Sequence, residues 1–250
     1  MKNTITFLGT SHGDPSVTRF CSSTHYAIDG TTFLIDAGEP VSALLIRRHI
    51  LPSSLDAVFL THMHLDHVNG LAHLYYEIEK YPGKRVEMFF AEEKAIGPFM
   101  QWNEAMHNHP LKEECLRLAA VTENFLWQKN TLSVRSIPTD HMGEKGKSFA
   151  YMIATPSCKI LHTGDLSGNF HDFPLAPGDP PVDLCVCEAT HIWHHKEILV
   201  ERLMHLPVRK MVFNHIGPHW TDGKEDDLKE LTASLPYPVV IAHDGTEIEL

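Results

Sequence analysis

The chain has 250 residues, 43% of them hydrophobic, and a formal net charge of −11 with histidine neutral. Such a length suits a layered α/β fold with a substantial core, and no apolar run is long enough to predict a transmembrane helix. No Lys/Arg cluster offsets the acidic balance, which argues against a nucleic-acid partner. The cysteines, Cys21, Cys115, Cys158, Cys185 and Cys187, form no C-x-x-C and fit reduced thiols. The opening MKNTITFLGTSHGD lacks the apolar core of a signal peptide, so a cytoplasmic protein with no membrane partner is expected.

In chain order, TITFLGT reads as a strand and SHGDPSVTRFCSS as a polar loop. THYAIDGTTFLIDAG reads as a hairpin turning at Asp29-Gly30. EPVSALLIRRHI is a short helix ended by Pro52, and LDAVFLTH is a buried strand. HLDHVNGLAHLYYEIEKY reads as a helix from about Asp66, with Leu71, Leu74, Tyr75 and Ile78 on one face. RVEMFFA is a further strand. Residues 92–128, broken by Pro98 and Pro110, read as a helical insertion carrying Phe99, Met100, Trp102, Met106 and Trp127. It either packs a core of its own or caps a pocket.

Strands return in TLSVRSIPTDH, SFAYMIAT, KILHTGD and DLCVCEAT, the last placing Cys185 and Cys187 on one buried face. A helix at about 196–206, the strand KMVFNH, the helix EDDLKELTASL and the strands VVIAHDG and EIEL complete the chain. Two blocks of strands, each with helices, predict two sheets packed face to face with helices outside, in a single domain over 1–250.

The composition includes 19 histidines, and histidine is the commonest metal ligand. FLTHMHLDHVNG packs His62, His64, Asp66 and His67 together where a strand leaves the core. His62 and His64 are two apart on an extended segment and point the same way, while Asp66 and His67 fall where a helix begins. Imidazole with carboxylate suits zinc, manganese or iron better than magnesium or calcium.

THMHLDH resembles the HxHxDH motif of the metallo-β-lactamase superfamily. The resemblance implies an α/β fold, the αββα sandwich of two packed mixed sheets, with a one- or two-metal site at the sheet edge. It also implies three more ligands at downstream strand ends. His141 ends SIPTDH, Asp165 ends KILHTGD and His215 ends KMVFNH. On this resemblance one ion takes His62, His64, His141 and Asp165, the other takes Asp66, His67, Asp165 and His215, and Asp165 bridges them. Asp36, in FLIDAGE, matches an acidic position that supports a ligand imidazole. The expected cofactors are two divalent ions, zinc first, with manganese or iron as alternatives. The chemistry implied is a metal-dependent hydrolase using a bridging hydroxide.

LCVCEAT resembles the HEAT signature of ribonuclease Z, with Cys187 in place of its first histidine. That branch implies that Glu188 assists a proton-donating histidine, placed here at His194 or His195, with His194 preferred. The short stretch between His141 and Asp165 has no room for the tRNA-gripping arm of ribonuclease Z. A small or cyclic phosphodiester is therefore the expected substrate. The alternatives are hydrolysis of a thioester, lactone or other carboxylic ester, a ribonuclease Z-like endonuclease without the arm, and a non-catalytic metal-dependent binding protein. Of the first loop, His12, Asp14 and Arg19 are candidates to border the site, with Arg19 a candidate phosphate holder. His219 and Trp220 are candidates to line the pocket. A homodimer is expected from the family alone.

Overall fold

The computed structural model describes residues 2–221 and 223–250. Its strands fall into two seven-stranded mixed sheets. The first holds β1 (Thr4–Gly9), β2 (Ser23–Ile28), β3 (Thr31–Ile35), β4 (Ala57–Phe59), β5 (Val86–Phe90), β6 (Leu116–Ala120) and β14 (Glu247–Glu249). The second holds β7 (Leu126–Lys129), β8 (Leu132–Thr139), β9 (Ser148–Ala154), β10 (Lys159–His162), β11 (Leu184–Glu188), β12 (Met211–Asn214) and β13 (Val239–Ile241). The helices are α1 (Val41–Arg47), α2 (Leu65–Val68), α3 (Leu71–Lys80), α4 (Ile96–Ala105), α5 (Lys196–Met204) and α6 (Glu225–Thr232).

The two sheets repeat one pairing scheme. From β14 the pairings run antiparallel through β1, β2 and β3, then parallel through β4, β5 and β6. From β7 they run antiparallel through β8, β9 and β10, then parallel through β11, β12 and β13. In this scheme β1 corresponds to β8, β3 to β10 and β4 to β11. No repeat is legible in the sequence, because the pairing scheme constrains backbone and hydrophobic period rather than residue identity.

Period-two alternation explains the layers. Phe33, Ile35 and Phe59 point between the sheets and meet Trp127, Val134, Tyr151, Ile153 and Val186 of the other sheet. Phe59 sits at the centre, stacked on Phe89 at 5.2 Å between ring centroids, with Trp127 at 5.4 Å and Tyr151 at 5.5 Å. The intervening Leu34, Val58 and Leu60 face α1 and α3. Cys185 and Cys187 face outward from β11 into the layer formed with α5 and α6. Among the described residues, no helix is long and apolar enough to cross a membrane.

Two expectations need correction. Residues 92–128 are not a helical insertion. They hold one short 3-10 turn and α4, and then β6 and β7. Leu, Arg and Ala favour helices in isolation, but LRLAA pairs in parallel with β5 and extends the first sheet. Trp127 enters the inter-sheet core from β7. The helix expected from about Asp66 is two helices, α2 and α3. Gly70 lies between them, its N–H donating to the Ala37 carbonyl, and a Cβ there would sit 2.7 Å from that oxygen.

Candidate metal centre

The candidate ligands meet at one end of the seam between the sheets, on loops that follow strand ends. Backbone geometry at these loops is unusual. Asp36 and His215 adopt positive φ, 62° and 53°, a region costly for non-glycine residues. Gly164, at φ 58°, packs directly before Asp165 on the Thr61 side chain, from which a Cβ would lie 2.9 Å.

Asp36 organises the first sheet's contribution. It is buried and accepts hydrogen bonds from the Thr61 N–H at 2.8 Å, the Thr61 hydroxyl, and His67 Nδ1 at 2.7 Å. With Nδ1 committed to a carboxylate, His67 turns Nε2 into the cleft. There Nε2 lies 3.1 Å from His215 Nε2, 3.3 Å from Asp66 Oδ2 and 3.5 Å from Asp165 Oδ1. Thr190 holds His215 from behind, donating to its carbonyl at 2.6 Å and lying 3.2 Å from its Nδ1. Asp66 Oδ2 accepts from the Gly13 N–H at 2.8 Å.

A second group lies on the open side of the cleft. His62 Nε2 is 2.9 Å from His64 Nδ1, and His141 Nε2 is 3.1 Å from the same atom. Asp165 spans both groups. Its Oδ2 faces His62 Nε2 at 3.8 Å and His141 Nε2 at 3.6 Å, while its Oδ1 faces His67 and His215 Nε2, the latter at 3.4 Å. Oδ1 is buried with no hydrogen-bond partner among the described residues. Ligand atoms of His62, His64 and His141, of His62, His67 and Asp165, and of Asp66, His67 and His215 lie within 4.8 Å of one another in each set. Imidazole nitrogens converging on common points, with an orphaned carboxylate oxygen between them, match what divalent cations require.

Burial strongly modulates charge here. Burial opposes protonation of His67, but the Asp36 and Asp165 carboxylates outweigh it and hold the pKa well above the ordinary imidazole range. Burial and neighbouring imidazoles push His62 well down. Burial raises the cost of charge on Asp66 and Asp165, yet the surrounding histidines keep both carboxylates ionised far below their ordinary range.

Glu188, also buried, ends β11 beside this centre. Its Oε1 accepts from the Leu166 N–H and lies 2.7 Å from His191 Nδ1, while its Oε2 accepts from the His191 N–H. The His191 ring stands 5.6 Å from that of His141. Burial works to lower its pKa, but the Glu188 hydrogen bond and charge push it up to about 9. The expected pairing of Glu188 with His194 or His195 is therefore corrected. Both are exposed at the end of the 3-10 turn Thr190–His195, and His191 is the histidine that Glu188 holds. The signal for it was present in CEATH, where a histidine follows the acid by three residues and can turn back to it.

Other candidates separate clearly. Arg19 is fully buried and takes no part in the cleft. Its guanidinium donates to Glu225, to the Thr10 hydroxyl and to the Ala242 carbonyl, each at 2.6 Å. His219 stacks on Trp193 at 4.5 Å and Trp220 is buried, so both build the wall beneath the 190s turn. His12 does reach the site, with its ring edge-on to His215 at 4.9 Å.

A family model described as Anti-Pycsar protein Apyc1 matches residues 3–176. The chain belongs to this family. This member of the Apyc1 family is 44% identical over 69 residues to a protein named Ribonuclease Z from Prochlorococcus marinus subsp. pastoris. That match covers 27% of the chain and only 22% of the relative's length. Among solved structures it resembles the metallo-β-lactamase fold protein YhfI from Bacillus subtilis, with a TM-score of 0.78 and 16% identity over 100% of both chains. It also resembles a diphosphatase of the PhnP family, with a TM-score of 0.71 and 20% identity over 99% of this chain and 98% of the other. The Apyc1-family chain therefore has the metallo-β-lactamase fold.

Proposed function

We propose that the protein is a metal-dependent phosphodiesterase acting on small or cyclic phosphodiesters. The observation that carries this reading is the split carboxylate of Asp165, with Oδ2 toward His62 and His141 and Oδ1 toward His67 and His215. One ion would be held by His62, His64, His141 and Asp165, and the other by Asp66, His67, Asp165 and His215. Zinc leads the candidates, with manganese or iron as alternatives. Bound there, the ions supply Lewis acidity, which activates water and offsets charge on phosphoryl oxygens.

The chain's own residues do the rest. Asp36 and Thr190 keep the Nε2 atoms of His67 and His215 facing the cleft. Glu188 keeps His191 protonated and occupies its Nδ1 side, so the proton available to a leaving oxygen is the one on Nε2. The likeness to a ribonuclease Z and to a PhnP-family diphosphatase supports a phosphorus-centred substrate. The ribonuclease Z name also favours a second reading, an RNA endonuclease, which the acidic charge of −11 opposes.

The test is hydrolysis of bis(p-nitrophenyl) phosphate with metal content measured on the same samples, comparing wild type, Asp66→Ala and His191→Ala supplied with zinc or manganese. Turnover by wild type, abolished by Asp66→Ala, is expected. Two ions per chain with no turnover on this or on cyclic and RNA phosphodiesters would reject the reading in favour of ester hydrolysis.

A further inference from the structure

We propose that His12 is an additional protein ligand of the ion held by Asp66, His67 and His215. The inference rests on the metal-centre reading above and adds a donor from the first loop. Ligand atoms of His12, Asp165 and His215 lie within 4.8 Å of one another, a set that shares His215 with the Asp66, His67 and His215 group. His12 Nδ1 is buried without a hydrogen-bond partner among the described residues, as is Asp165 Oδ1. Buried polar atoms left without partners are uncommon, and an ion or other ligand is one way to satisfy them.

The loop that carries His12 is anchored to the other ligands on both sides. Ser11 bridges Ile216, the residue after His215, and the Ile216 N–H donates to the Thr10 carbonyl at 2.7 Å. On the other side, the Gly13 N–H donates to Asp66 Oδ2. His12 is thus clamped between two candidate ligands of one ion, on a backbone that allows it little freedom.

The repeated pairing scheme supports the same assignment independently. β1 and β8 hold the same place in their sheets. His141 follows the end of β8 and closes the group formed with His62 and His64. His12 follows the end of β1 and stands over Asp165 and His215. Each half of the fold then contributes one histidine, from the loop after equivalent strands, to one of the two ions. An extra imidazole would leave that ion with fewer positions open to water or substrate than its neighbour. The two ions would differ in affinity and in coordination number.

The test uses the full chain stripped of metal and titrated with Co(II) and, separately, Zn(II), following binding calorimetry and the visible absorption of the Co(II) form, which reports ligand number and geometry. Wild type, His12→Gln, His12→Ala and Asp66→Ala are compared, with circular dichroism and thermal unfolding confirming the fold of each. In both His12 variants one equivalent should bind as in wild type, while the other weakens by about tenfold to a hundredfold and its Co(II) spectrum changes. Wild-type binding of two ions with unchanged affinities and spectra in the His12 variants would overturn the assignment. A raised KM with unchanged metal binding would also overturn it, by making His12 a substrate contact. Failure of the underlying metal reading looks different: wild type then takes up no ion, or Asp66→Ala binds as wild type does.

Discussion

Replacing Glu188 with glutamine isolates the charge that acts on His191. The amide keeps the carboxylate's size but can accept from only one of the two backbone donors, the Leu166 N–H and the His191 N–H, so circular dichroism and thermal unfolding are measured alongside activity. What goes is the largest of the interactions that lift His191 from 6.5 to about 9 against burial, a net shift of about 3 kcal/mol. If protonated His191 serves the leaving group, wild-type kcat/KM should fall only as pH rises through about 9. In Glu188→Gln the histidine falls back toward its ordinary value of 6.5, because burial still opposes its charge and only the more distant Asp165 and Asp172 still raise it. A full return to 6.5 would drop its protonated fraction at pH 8 from about 0.9 to about 0.03, so the predicted loss is up to about 30-fold. At pH 6 the two proteins should differ by little more than about twofold. The assay is the pH profile of kcat/KM on a chromogenic phosphodiester between pH 5.5 and 9.5, taken as ~0.5-unit steps at saturating metal. An equal loss at pH 6 and pH 8 would refute the reasoning, since the carboxylate would then act on something other than the proton of His191.

Asp36→Asn should weaken metal binding by about tenfold to a hundredfold while leaving the fold intact, because His67 loses the carboxylate that orients its Nδ1 side; calorimetry on the metal-free chain checks it. Phe59→Ala should cost about 3–5 kcal/mol in urea unfolding, given its aromatic neighbours on both sheets, without altering the pH profile of the surviving activity. Arg19→Met should destabilise by about 3 kcal/mol, because Glu225 and the Ala242 carbonyl lose a buried donor; a loss confined to activity, with unfolding unchanged, would mean that Arg19 serves the substrate instead.

The candidate metal ligands were legible because the resemblance carried by THMHLDH implied further histidines and an aspartate at strand ends, and strand ends can be found in the sequence. An apolar alternation stops, and a histidine or aspartate appears where the chain must leave the sheet. His62, His64, His141, Asp165 and His215 all follow that pattern. The acid Glu188 was legible through the resemblance of LCVCEAT to the ribonuclease Z signature, and it proves to be the last residue of β11. Its partner was not, because the 3-10 turn Thr190–His195 decides which of three nearby histidines faces inward, and that depends on the local dihedral path. Arg19 misled for a related reason. A lone arginine in a polar loop looks available for phosphate, and only the tertiary placement of Glu225 and Ala242 shows that it is spent on internal hydrogen bonds. The segment 92–128 was misread because edge strands of a parallel sheet carry little pattern of their own, and LRLAA takes its conformation from β5.

The seam between the sheets has a consequence for how long the protein survives. His62, His64, Asp66 and His67 belong to the chain before β7, and His141, Asp165 and His215 to the chain after it. Near the cleft the halves are stitched directly by the Phe149 N–H on the Thr61 carbonyl and the Tyr151 hydroxyl on the Leu60 carbonyl. An ion ligated from both sides is a clip across a long loop of chain, and it adds its binding free energy to the resistance of the whole fold against opening. A cell short of the metal would then hold not merely an idle protein but a more easily digested one, so that the amount of the protein would track the supply of its ion.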